Sequence, residues 1–110
     1  MYIDDCVQGL ITVMESDCQE PVNLGPDESV SIDDLVDLIM EIAGVDLEKR
    51  YVEGAQGVRG RNFSHERART LGWEPTVSLG QGMAKTYAWI EEQINGHHRK
   101  HHPGQHRPGA

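Results

Sequence analysis

The chain is 110 residues long, enough for one small domain or for part of a larger one. Its 18 acidic against 10 basic side chains leave a net charge of −8, and Arg99, Lys100 and Arg107 place three of those basic residues near the C-terminus. A surface this acidic repels phosphate backbones, which argues against nucleic-acid binding, and no apolar run approaches the roughly 20 residues of a membrane span.

In chain order, "MYI" reads as the end of a strand and "DDCVQGLITVMES" as a helix. Asp4 is its expected N-cap, and Asp5 suits the positive end of the helix dipole. Both acids also stand where a signal peptide would be basic. Val7, Leu10, Ile11 and Met14 recur at helical spacing and share one face. Cys6 and Cys18 have no metal-type spacing and are too few for a disulfide framework, so two reduced thiols in a cytoplasmic protein are expected.

"EPVNLG" reads as a short strand between Pro21 and Gly25. The helix after it is the most clearly signposted. Ser31 is its N-cap, with Asp34 three residues on. Ile32, Leu35, Val36, Ile39, Ile42 and Ala43 form the apolar stripe, and Gly44 the stop. Asp33, Asp34, Asp37 and Glu41 make its solvated face. "LEKRYVEG" alternates as a strand does, and a glycine-rich stretch, "GAQGVRGRN", follows.

Ser64 then caps a short helix ended by Gly72, and Pro75 keeps "WEPTV" out of helix. Ser78 with Gln81 opens the last helix, whose Leu79, Met83, Tyr87, Ile90 and Ile94 keep to one side. Beyond Asn95, "HHRKHHPGQHRPGA" holds no large apolar residue and is expected to be a disordered His-rich tail, residues 96–110. Residues 1–95 then form a small α/β lobe of short strands and about four helices. That is near the lower end of what one core supports.

The functional question centres on "GVRGRN", residues 57–62. Arg59 and Arg61 lie two apart and point the same way in extended backbone, and the glycines allow close approach to a ligand. Guanidinium forks match phosphate oxygens in pairs, as a diphosphate would require. The spacing alone leaves a second reading open, a solvated loop whose arginines pair with neighbouring acids. No dinucleotide-binding Gly-x-Gly-x-x-Gly turn, Walker motif or His-Glu-x-x-His is present.

Three segments, "YIDDCVQGL", "PVNLGPDESVSIDDLVDLI" and "LGWEPTVSLGQGMAKTYAWI", resemble the C-terminal part of extended short-chain dehydrogenases/reductases, the NAD-dependent nucleotide-sugar epimerase/dehydratase superfamily. The Leu71, Gly72, Trp73, Pro75 signature and the later Leu79, Gly82, Thr86 and Trp89 carry much of it. "GVRGRN" with "DDCVQG" and "TYAWIEEQI" is most similar to the GDP-mannose 3,5-epimerases of that superfamily. Its decarboxylases and dehydratases usually set an Asp-Pro pair ahead of the arginine.

The resemblance implies that Arg61 contacts a nucleotide-diphosphate sugar, with Arg59 and Asn62 as further candidates. The acid that the family carries shortly after this arginine is replaced around Phe63, Ser64 and His65. It also implies an isomerase that oxidises the sugar at C4 with NAD, epimerises through an enolate and re-reduces it. NAD and the acid/base residues would belong to an N-terminal domain that this chain lacks, and the full enzyme would be a homodimer. Here Tyr2, Tyr51 and Tyr87 have no lysine four residues on, so no catalytic residue is assigned. The alternatives are another dehydratase or decarboxylase of the superfamily, or a non-catalytic acidic interaction module with a metal-binding His-rich tail (His97, His98, His101, His102, His106).

Overall fold

The computed structural model describes residues 1–61 and 63–100, the last four as backbone only. Among the described residues four helices follow one another: α1 Ile3–Glu15, α2 Ile32–Ala43, α3 Glu66–Thr70 and α4 Leu79–Lys100. The order of helices matches the sequence reading, but the α/β class does not, because the described residues contain no strand. Of the segments expected as strands, the first gives way to α1, which begins at Ile3 with Tyr2 as N-cap. The other two lie outside the helices without pairing. Backbone hydrogen bonds outside helix interiors are confined to turns and helix ends, and none joins residues 20–25 to residues 47–54. Alternating side chains do not make a strand; a ladder needs a second backbone edge about 4.8 Å away. Among the described residues neither segment finds one.

Local chemistry sets the helix ends. Ser31 Oγ accepts the Asp34 N–H at 3.0 Å and opens α2, and Gly44, at φ +67°, closes it in the left-handed conformation. Ser78 and Gln81 exchange two hydrogen bonds of 3.2 Å each, a reciprocal capping box that opens α4. Two expected caps move. Tyr2, not Asp4, precedes α1, and it makes no side-chain cap bond. His65 takes the N-cap position of α3, one residue after Ser64, whose Oγ stands 3.5 Å from the Glu66 nitrogen. Gly72, at φ +89°, ends that helix as expected. The α4 backbone continues through Asn95-Gly96 to Lys100, whereas residues 101–110, most of the expected tail, lie outside the described residues.

Packing is sparse. Helix α2 lies against α4, and the buried apolar side chains among the described residues are Ala68 and Trp73. The apolar stripe of α1 does share one face, but that face points outward: Leu10 is 54% and Met14 83% exposed. Its opposite face, through Asp5 and Gly9, is the buried one. At 3.6 residues per turn these two sit one above the other. A Cβ on Gly9 would come within 2.8 Å of Leu24 Cδ1 and 3.1 Å of Trp73 Cε2, so the absence of a side chain lets α1 settle onto the Leu24–Trp73 surface.

Gly9→Ala and Gly80→Ala therefore separate packing from helix propensity. Alanine is favoured over glycine in a free helix by about 1 kcal/mol. Gly80→Ala meets open space and should stabilise by up to about that amount. Gly9→Ala should instead destabilise by about 1–3 kcal/mol through overpacking. Urea unfolding of both variants measures the difference, and equal shifts would refute the close approach.

Candidate functional site

The site region is organised by a buried acid. Asp5, 5% exposed, accepts hydrogen bonds from the Thr76 N–H (3.1 Å to each oxygen), the Thr76 hydroxyl (2.9 Å) and the Val77 N–H (2.9 Å). Its own backbone carbonyl accepts the Trp73 indole N–H at 3.0 Å. The Val77 and Thr76 backbone donors, with the Thr76 hydroxyl, hold the Asp5 carboxyl below its ordinary pKa against the opposing effect of burial. Asp5 was legible as a first-turn acid of α1. That it also receives the chain entering α4 was not.

A second polar cluster ties α3 to residues 20–27. Arg67 donates to the Pro21 carbonyl and pairs with Glu20 at 2.9 Å. Asn23 donates to the Ser64 carbonyl at 3.3 Å. His65, 8% exposed, places Nδ1 3.0 Å from Asp27 Oδ1, and Arg69 pairs with the other Asp27 oxygen. Since a carboxylate only accepts, Nδ1 carries the hydrogen. Around this pair lies a small cavity of ≈ 220 Å³ that also reaches Gly25 and Glu74.

The acids of α2 form an exposed face as expected, and a third cluster is built on two of them. Lys49 pairs with Asp33 at 3.0 Å and Asp37 at 2.7 Å, and the Tyr51 hydroxyl donates to Asp33 Oδ1 at 2.6 Å. The Tyr51 and Lys49 donors lower the Asp33 pKa, the bond to Asp33 raises that of Tyr51, and the bonds to Asp37 and then Asp33 raise that of Lys49. This clasp, rather than a ladder, seats residues 49–51.

An open groove of ≈ 1350 Å³ lies between the start of α1, residues 26–30, residues 75–78 and α4. Tyr2, Cys6, Met83 and Trp89 give it an apolar wall, and Lys85 stands 5.3 Å from the Tyr2 ring centroid. Trp89 is 61% exposed on this wall, whereas Trp73 is core. Both cysteines are free thiols.

Arg59 and Arg61 are exposed, on the segment that follows the Lys49–Tyr51 clasp. Neither forms an ion pair with a described residue, and neither lines the groove. Asn62 and the histidines from His101 onward lie outside the described residues, and His97 and His98 are described only as helical backbone. No group of three or more potential metal ligands occurs among the described residues, and no described helix is long and apolar enough to cross a membrane.

Comparison with known proteins yields no matching family model. The chain is 42% identical over 94 residues to GDP-mannose 3,5-epimerase 1 of Oryza sativa subsp. indica, covering 84% of this chain and 25% of that protein. It is 34% identical over 95 residues to UDP-glucuronic acid decarboxylase 1 of Xenopus tropicalis, covering 84% and 23%. Among solved structures it resembles the UDP-glucose 4-epimerase of Thermotoga maritima, crystallised with UDP-glucose. The TM-score is 0.80 at 32% identity, over 86% of this chain and 31% of the other. The chain thus spans about a quarter of the length of the curated relatives it matches.

The lowered Asp5 and Asp33 pKa values fix the sign of the acid response. Each carboxylate contributes stability above its unfolded pKa and loses it as pH falls through the lower folded value. The thermal midpoint should therefore fall as pH drops below about 4. Asp5→Asn should start lower at neutral pH and fall less steeply. An equal pH slope in the two proteins, by calorimetry, would remove Asp5 from its role.

Proposed function

Because the chain belongs to the NAD-dependent nucleotide-sugar epimerase/dehydratase family, matching the C-terminal part of its extended short-chain dehydrogenases/reductases, we propose that it is the substrate-binding lobe of a GDP-mannose 3,5-epimerase-like enzyme. The observation that carries this reading is the pair Arg59 and Arg61. In a strongly acidic chain both guanidinium groups stay exposed without a carboxylate partner among the described residues. Two cations left open on glycine-flanked backbone suit the oxygens of a sugar-nucleotide diphosphate. Arg61 is the principal contact, and Arg59 and Asn62 are further candidates. The solved relative crystallised with UDP-glucose supports a sugar nucleotide as the ligand class.

The residues present do not fit NAD. A dinucleotide site needs a glycine-rich turn from a strand into a helix, where N–H groups meet the pyrophosphate. Tyr2, Ser31, His65 and Ser78 precede the four helices, and none stands in such a turn. In the proposed reading, NAD is held by a further, N-terminal domain of a complete enzyme. The oxidation, epimerisation and reduction are assigned to no residue here.

A second reading, a non-catalytic acidic interaction module, also accounts for the exposed α1 stripe of Ile3, Val7, Leu10 and Met14. Both readings require a partner surface over that helix; only the first requires the arginines. A homodimer of the complete enzyme and a cytoplasmic location accompany the first reading.

The test grafts residues 2–94 in place of the matching segment of the rice epimerase. Arg61→Ala in that chimera should raise KM by the equivalent of about 2–5 kcal/mol with a smaller change in kcat, since bound substrate desolvates the guanidinium. An unchanged KM would refute the assignment and leave the interaction module as the better reading. The isolated chain should bind NAD no more tightly than millimolar in a calorimetric titration; micromolar binding would place the cofactor site here after all.

A further inference from the structure

We infer, on the basis of the nucleotide-sugar reading, that His65 is a positioning residue for the arginine stretch and acts through Asp27. Between Tyr51 and Ser64 no described residue makes a hydrogen bond or ion pair with another described residue. Among the described residues, the contacts that hold the stretch lie at its two ends. Upstream, Lys49 and Tyr51 are fastened to Asp33 and Asp37 of α2. Downstream, the Ser64 carbonyl accepts from Asn23, and His65 donates to Asp27. Arg61 lies ten residues from the upstream anchor and four from His65. Four residues span at most about 14 Å of extended chain, ten about 35 Å. The downstream tether therefore sets the volume that the guanidinium group explores, and with it the local concentration of the cation at a bound diphosphate.

Of the two downstream contacts, that of His65 is the buried one. Its side chain is 9% exposed, its Nδ1 lies 3.0 Å from Asp27 Oδ1, and Arg69 holds the other oxygen of the same carboxylate. A Cβ on Gly25 would stand 3.1 Å from Nε2, so the imidazole is also wedged against the backbone. Asp27 belongs to the 26–30 wall of the large groove. One hydrogen bond thus connects the arginine-bearing stretch to the rim of the groove. The donor is Nδ1, which the amide nitrogen of asparagine can imitate. Glutamine instead reaches toward the Nε2 position beside Gly25.

The test is an NMR titration of this chain with GDP-mannose, following the backbone amides of residues 57–61 to obtain Kd. His65→Gln should raise Kd about 3–10-fold, the equivalent of one hydrogen bond. His65→Asn should restore the unaltered value, a rescue that general destabilisation would not show. His65→Gln added to Asp27→Ser should cost no more than Asp27→Ser alone. Arg61→Ala tests the underlying reading separately. If Arg61→Ala weakens binding and His65→Gln does not, the positioning role falls and the substrate reading stands. If Arg61→Ala leaves Kd unchanged, or if the amides of the unaltered chain do not move, the substrate reading falls and the positioning role with it. Should His65→Gln fail to give a dispersed spectrum, Asp27→Ser carries the comparison, and an unchanged Kd in that variant overturns the proposal.

Discussion

A carboxylate in the first turn of α1 receives the chain as it enters α4, and the indole of Trp73 donates to the backbone carbonyl of the same residue. Asp5 thereby joins sequence positions about seventy apart. Its burial is tolerable because the donors of Thr76 and Val77 replace the water it gives up. With that contact in place, Gly9 meets Leu24 and Trp73, and the groove opens between α1 and α4. Without it, α1 would have only its outward apolar stripe to offer.

The remaining organisation is polar and peripheral. Ala68 and Trp73 are the buried apolar side chains among the described residues, so the segments between helices are located by clasps rather than by a core. Lys49 and Tyr51 clasp α2, while Arg67, Asn23 and the His65–Asp27–Arg69 set clasp residues 20–27 to α3. Exposed ion pairs of this kind contribute little stability individually. They define position. Arg59 and Arg61 lie in sequence between two of these clasps, exposed and in no ion pair among the described residues.

The ends of α2 and the start of α4 were legible because they are local. Ser31 with Gly44, and Ser78 with Gln81, complete their hydrogen bonds within a few residues, so the letters carry the geometry. The strands were not legible in the same way. "EPVNLG" and "LEKRYVEG" have acceptable alternation, but pairing is a property of two segments, and the described chain pairs neither. The N-cap position of α3 falls on His65, whose side chain bonds Asp27 rather than the helix, while Ser64 Oγ stands 3.5 Å from the Glu66 nitrogen. Arg59 and Arg61 could be named as cations on flexible backbone; that they escape the surrounding carboxylates could not.

Sequence by itself determined the four helices, the helix-ending glycines at Gly44 and Gly72, the resemblance to nucleotide-sugar enzymes and the identity of the two candidate arginines. Tertiary structure alone decided which face of α1 is covered, which acids are bound, and that His65 is an anchor. The division follows the range of the forces. A cap or a helical stripe is satisfied by neighbours along the chain, whereas the partner of a buried carboxylate or imidazole comes from whichever distant segment the fold brings within about 3 Å.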